Sequence, residues 1–174
     1  MCAVEYYTYE DYKMWEGDWE LVRGYPLAIA PSPFRKHQLL IFEIARELAN
    51  SIECENCEVG GELDYIVNED TVLRPDVYFT CDEDGDYLIK PPKIIVEIVS
   101  KSTIKRDERI KKEIYLEEGV KYYVLVYPDR KTAKIYKLID GKYILDKLVK
   151  NEKYKFDVEC DPEIDFEKVF KKIK

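Results

Sequence analysis

Glu97 stands inside the run Ile94-Ile95-Val96-Glu97-Ile98-Val99. Side chains alternate across a strand, so Ile95 and Val99 share its face, and Ile94, Val96 and Ile98 fill the other. A strand apolar on both faces is central and covered on both sides. A carboxylate there must be paired, protonated or metal-bound, because burying it bare is costly. The plainer reading is an edge position from which Glu97 reaches water or an arginine. Asp76 follows Pro75. Aspartate is disfavoured in strands, and proline fits only at an edge, a strand start or a bulge. The pair reads either as a distorted strand that aims a carboxylate or as a turn between two shorter strands. Adjacent strands would bring Asp76 and Glu97 together, and two close carboxylates are usually stabilised by a divalent cation or a shared proton. Hard oxygen ligands suit Mg²⁺ or Mn²⁺.

Asp107, Lys111 and Tyr115 recur at helical spacing, with Ile110 and Ile114 beside them. Lys111 therefore borders a buried face and could reach the carboxylates; a solvated partner of Asp107 is the plainer role. His37 is the sole histidine, so no Ser/His/Asp or Cys/His array follows from the sequence. It reads as a structural residue, a substrate contact or a base. Glu20, in Trp19-Glu20-Leu21-Val22, could complete the carboxylate cluster or face solvent.

The elements that must position these groups are legible from periodicity. Residues 8–13 read as a short helix and 19–30 as a hairpin turning near Gly24, ended by Pro31 and Pro33. Residues 34–52 carry apolar side chains at helical spacing. A strand-like stretch interrupted by Gly60 and Gly61 follows, then strands over 71–80 and 93–100. A charged helix over 103–118 ends at Gly119, and a strand over 120–127 follows. The last two strands and their helix form a βαβ unit, whose strands pair in parallel. Asp140-Gly141 marks a hairpin between 132–138 and 142–149, and a C-terminal helix spans 163–173. The order predicts an α+β, α/β-like fold around a mixed sheet, as a single domain over 1–174.

With 174 residues, 46% apolar and 37% charged, the chain can bury one sizeable core and is not a disordered or collagen-like protein. It carries no apolar run of membrane-spanning length and no signal-peptide pattern at its start, so a soluble cytoplasmic protein is expected. A net charge of −8 argues against coating nucleic acid by charge alone. A local basic rim remains open to Arg35, Lys36, Lys101, Lys105, Arg106, Arg109 and Lys112, near the two helix starts. Fifteen tyrosines suit an interface, and a homodimer would let two sites act on two strands.

Five cysteines, an odd count, without a secretory pattern argue against the disulfide framework of a secreted protein. Cys54 and Cys57 make a single C-x-x-C. The plain reading is two thiols at a helix end, with a disulfide or redox pair and a zinc site as alternatives. Zinc would need a second pair or histidines.

These residues, taken in order, resemble the Uma-two family of restriction-endonuclease-like proteins, within the PD-(D/E)XK nuclease superfamily. The matching pieces are Trp19-Glu20-Leu21-Val22-Arg23-Gly24, Ser32 to His37, Arg74-Pro75-Asp76-Val77, Val96-Glu97-Ile98-Val99-Ser100 and Ser102-Thr103, followed by Asp107, Lys111, Tyr115 and Gly119 to Tyr123. Each piece is weak alone; the ordered set is fairly specific. The resemblance implies an αβββαβ core, a four-stranded mixed sheet flanked by helices, with the hairpin and C-terminal helix as additions.

It also implies a Mg-dependent endonuclease that hydrolyses phosphodiester bonds of nucleic acid, with DNA the expected substrate. Asp76 and Glu97 would ligate Mg²⁺ (or Mn²⁺), with the backbone carbonyl of Ile98 as a further ligand. Glu20 would join them or hold a water, and His37, Asp107 and Tyr115 would stand around the site. The superfamily places a lysine two residues after the glutamate, where this chain has Val99. Lys111 matches the family's shifted lysine, and Lys101, where proline is usual, is a second candidate cation. The competing function is an inactive module that keeps the fold and binds protein or nucleic acid.

Overall fold

The computed structural model describes residues 5–29 and 34–173. Cys2, Pro31, Ser32 and Pro33 lie outside them. Helix α1 (Tyr9–Tyr12) precedes the hairpin β1 (Trp19–Val22) and β2 (Tyr25–Ala28). Its two-residue turn, Arg23-Gly24, has both residues at positive φ, as the tightest hairpins require. Helix α2 (Arg35–Asn50) buries Leu40, Ile44 and Leu48, three of the expected apolar positions. Then come β3 (Cys57–Gly60), β4 (Tyr65–Asn68), β5 (Thr71–Leu73), β6 (Val77–Cys81) and β7 (Ile94–Ile98). A π-helical turn (Arg106–Lys111) runs into α3 (Lys112–Glu117), followed by β8 (Tyr122–Tyr127), β9 (Thr132–Ile139) and β10 (Lys142–Val149). The described chain closes with β11 (Lys153–Lys155), β12 (Glu163–Asp165) and α4 (Phe166–Lys171).

The main sheet has six strands in the order β10-β9-β8-β7-β6-β3. Strands β7 and β8 pair in parallel, Glu97 opposite Leu125, and the other pairs are antiparallel. The expected four-stranded mixed core is thus β3-β6-β7-β8, widened by the β9–β10 hairpin. A second sheet, β2-β1-β5-β4, forms a separate layer. One face of the main sheet buries Ile94, Val96 and Ile98 with α2 and α4. The other buries Ile95 and Val99 with α3 and the small sheet. Strand β7 is therefore central and covered on both sides, as its composition predicts.

Three sequence expectations change. The strand expected over 71–80 is broken at Arg74-Pro75-Asp76, because Pro75 has no N–H to continue a ladder. Its halves, β5 and β6, belong to different sheets. The C-terminal helix expected from 163 starts at Phe166; Glu163–Asp165 instead pair with β11. Cys54 and Cys57 lie beyond the end of α2 and are not joined to each other. Cys54 is bonded to Cys160 and Cys57 to Cys81. Among the described residues no helix is long and apolar enough to cross a membrane.

Candidate active site

The break between β5 and β6 sets the site. Two backbone groups of Arg74, at the break, turn to side chains. Its N–H donates to Glu20 Oε1 at 2.9 Å, and its carbonyl accepts from Lys111 Nζ at 3.2 Å. Its guanidinium is tied to Asp64 and Asp18, each at 2.8 Å. The segment then enters the main sheet with Val77 opposite Val96, which puts Asp76 beside the C-terminal end of β7. There Asp76 Oδ2 accepts the Ile98 N–H at 2.6 Å. The sequence's two readings of Pro75-Asp76 both hold: the chain is a turn between short strands, and the turn aims a carboxylate.

Glu97 is buried on the face that α3 covers. Its Oε1 accepts from Lys111 Nζ at 3.0 Å and from Tyr115 OH at 3.1 Å. Lys111 Nζ also lies 2.7 Å from Glu20 Oε1. One sealed ammonium is thereby shared by carboxylates from both sheets. Burial opposes its charge, but Glu20, Glu97 and Asp107 outweigh burial and hold Lys111 protonated well above the ordinary lysine range. Burial pushes Glu97 well above the ordinary carboxyl range; Lys111 opposes this, and Asp76, Asp107 and Glu20 reinforce it. Asp107 is raised as well, chiefly by burial. Three buried carboxyl groups, Glu20, Glu97 and Asp107, thus surround one buried ammonium, Lys111.

The helix that carries Lys111 is not uniformly α. Ser100 and Thr103 open it reciprocally: Ser100 N–H donates to Thr103 Oγ1 at 3.0 Å, and Thr103 N–H to Ser100 Oγ at 3.2 Å. The π turn at Arg106–Lys111 then widens the winding, a feature frequent at functional sites. Asp107, Lys111 and Tyr115 all face inward, as their spacing predicts. Ile110, expected beside them, is 39% exposed.

His37 Nε2 lies 3.4 Å from Asp76 Oδ2. Burial opposes charging the imidazole, but Asp76, with Glu62 and Asp107, more than compensates and raises its pKa. Among the described residues, the buried His37 Nδ1 and Glu20 Oε2 have no hydrogen-bond partner. Arg106, expected on a basic rim, turns inward, with its Nη1 3.2 Å from Glu20 Oε2. Its role was hidden because Glu20 arrives from the other sheet. Lys101 is exposed and makes no ion pair among the described residues. It lines the same cavity as Glu20, Glu97 and Lys111.

Glu20, His37, Arg74, Asp76, Glu97, Lys101, Arg106, Asp107 and Lys111 line one cavity of about 660 Å³. Six carboxylates and five lysines or arginines share its wall, with Lys36 and Lys101 exposed. Among the described residues no three carboxylates gather their oxygens within 4.8 Å. Glu20 is engaged by Lys111, the Arg74 N–H and Arg106, and does not join Asp76 and Glu97 in one tight set.

Comparison with known proteins agrees with this architecture. Residues 5–155 match the model of the Uma2 family, described as "Putative restriction endonuclease". The fold is similar to a crystal structure from Anabaena variabilis, described as a "putative nuclease belonging to DUF820". The TM-score is 0.75 over 96% of this chain and 99% of that one, at 14% identity. At that identity the likeness speaks for the fold. No curated protein matches the sequence. The family match spans most of the chain and takes in Asp76, Glu97 and Lys111, and the protein therefore belongs to the Uma2 family.

Proposed function

We propose that this protein is a metal-dependent nuclease that hydrolyses phosphodiester bonds, with DNA as substrate and Mg²⁺ or Mn²⁺ as cofactor. The observation that carries the reading is the buried Lys111 ammonium 3.0 Å from Glu97, beside Asp76 at the same sheet end. The donor set suits a hard cation. Among the described residues, protein hydrogen bonds reach only Oε1 of Glu97 and only Oδ2 of Asp76, which leaves one oxygen on each carboxylate for a ligand. The excess of buried carboxyl groups over buried lysines favours a divalent cation at the same place. Asp76 and Glu97 would hold it, with the carbonyl of Ile98 as a further ligand. Such an ion polarises a phosphate oxygen and lowers the pKa of bound water.

The chain's own residues supply the rest. Lys111 presents a fixed positive charge where negative charge develops in the transition state, and a preorganised cation in a dry site is worth most there. Glu20 and the Arg74 carbonyl pin that ammonium, so it need not reorganise during reaction. Tyr115 fixes the orientation of Glu97. His37 and the Ile98 N–H fix Asp76. Lys36 and Lys101 at the cavity attract the phosphate backbone despite the net charge of −8.

The test is calorimetric titration of metal-free protein with Mn²⁺, alongside Asp76→Ala and Glu97→Ala, and Mg²⁺-dependent cleavage of plasmid and linear DNA. Binding and cleavage by the wild type that vanish in both variants are expected. Unchanged Mn²⁺ affinity in both variants would overturn the site. A wild type that neither binds metal nor cleaves DNA would favour the inactive interaction module.

A further inference from the structure

Four cysteines that are scattered along the sequence meet at the far edge of the main sheet. Cys54 lies in the loop after α2, and Cys57 opens β3. Cys81 ends β6, directly opposite Cys57 in the ladder. Cys160 precedes β12 and reaches in from the C-terminal segment. The sulfurs of Cys54, Cys57 and Cys160 all lie within 4.8 Å of one another. Cys57 and Cys160 are not bonded to each other, yet their sulfurs are 3.4 Å apart. Cys81 packs against Cys57, with the two Cα atoms 4.0 Å apart.

Two separate cross-links need no such convergence. A tetrahedral thiolate centre does: with Zn–S bonds of about 2.3 Å, its sulfurs stand about 3.8 Å apart. The Cα separation of Cys57 and Cys81 is also below the roughly 4.4–6.8 Å usual for a disulfide. C-x-x-C is the common first half of a structural zinc site. The second half was invisible in the sequence because Cys81 and Cys160 stand singly, and only the fold brings them to the pair. No other group of three or more His, Cys, Asp or Glu side chains among the described residues gathers its ligand atoms this closely.

We propose that Cys54, Cys57, Cys81 and Cys160 in their reduced form are a tetrathiolate site for a structural Zn²⁺ ion. The Cys54–Cys160 and Cys57–Cys81 cross-links and the zinc centre are alternative states of the same sulfurs. Reducing both cross-links takes four electrons and four protons; in vitro two equivalents of a phosphine give the electrons and end as phosphine oxide, and two water molecules supply the oxygen and the protons. Zinc then binds as the thiols give up their protons. The ion joins the C-terminal segment to the β3 edge of the sheet, on the side of the molecule built from α2 and β6. It is independent of the carboxylate site.

The experiment uses the full chain, reduced with a phosphine, freed of metal and titrated with Co²⁺. One thiolate-bound Co²⁺ per chain is expected, with the visible bands of a tetrahedral ion and a thiolate-to-cobalt charge-transfer band; Co²⁺ taken up at the carboxylate site gives no such charge-transfer band. Zn²⁺ should displace it, and Zn²⁺ should raise the Tm of the reduced protein. Asp76→Ala should leave the spectrum unchanged, whereas Cys160→Ser should weaken binding at least tenfold. Reduced wild-type protein that develops no thiolate–cobalt band would overturn the proposal. So would protein isolated under reducing conditions that holds no zinc and whose Tm is insensitive to added Zn²⁺. Both readouts use the wild type, so they stand even if the cysteine variant fails to fold.

Discussion

Glu20 Oε1 sits 2.7 Å from Lys111 Nζ, with both side chains sealed at 1% and 2% exposure. The contact joins β1 of the small sheet to the π turn above the main sheet, across 91 residues of chain. It locks the two layers at the point where chemistry is proposed. Removing one partner of a buried pair strands the other charge, which costs about 3–5 kcal/mol. Glu20→Ala is therefore expected to lower the unfolding free energy by about that amount in a urea titration, and to release Lys111 from its fixed position. A loss below about 1 kcal/mol would mean that Glu97 alone satisfies the ammonium.

Asp76 and Glu97 should respond differently to amide replacement. Asp76 is partly exposed, and asparagine retains an oxygen for the Ile98 N–H. Asp76→Asn should therefore fold normally and lose divalent-metal binding. Glu97→Gln keeps an acceptor for Lys111 and Tyr115 but leaves Lys111 with less negative charge around it. It should lose metal binding with a stability change of about 1–2 kcal/mol. Thermal melts and Mn²⁺ titrations on the same preparations separate the two effects. EDTA should abolish cleavage by the wild type, and excess Mg²⁺ should restore it.

The two candidate lysines are distinguishable by kinetics. Lys111 is buried against Glu20, Glu97 and the Arg74 carbonyl. Lys101 is exposed at the cavity wall. If Lys111 stabilises developing charge, Lys111→Met should lower kcat by about 100-fold or more. Lys101→Ala should instead raise KM several-fold, flatten its dependence on salt, and leave kcat nearly unchanged. The reverse pattern would move the catalytic cation to Lys101.

Much of this site is legible in the sequence for a physical reason. A carboxylate between isoleucines on a doubly apolar strand costs too much to bury without a partner, so Glu97 announces one. Pro75 cannot extend a ladder, so Asp76 must sit at a break. Inward-facing Asp107, Lys111 and Tyr115 follow from helical spacing. What the sequence hides is either long-range or without a side-chain signature. Glu20 and Arg106 meet only because β1 pairs with β5, and that pairing crosses some fifty residues. The π turn changes hydrogen-bond offsets without changing residue types, so no residue announces it, and helical spacing alone puts Ile110 on the buried side, where it is 39% exposed. Strand β12 is three residues long and follows Pro162, a residue type that also opens helices.

Gly61 gives a test that touches neither the carboxylates nor the lysine. It lies on the loop between β3 and β4, and the next residue, Glu62, donates its N–H to the Pro75 carbonyl at 3.0 Å. A Cβ added at Gly61 would stand 2.5 Å from the Asp76 backbone carbonyl. That is too close for any real contact, and backbone cannot swing aside as a side-chain tip can. Gly61→Ala must therefore push the Pro75-Asp76 segment away from the loop and disturb the Asp76 hydrogen bond to Ile98. Such overpacking costs about 1–3 kcal/mol, small enough for the protein to stay folded. Metal affinity at the carboxylate site should fall, because Asp76 shifts relative to Glu97, while Co²⁺ binding at the four cysteines should stay as in the wild type. Wild-type Mn²⁺ affinity in Gly61→Ala would show that the segment yields without moving its carboxylate, and that the loop does not help to aim Asp76.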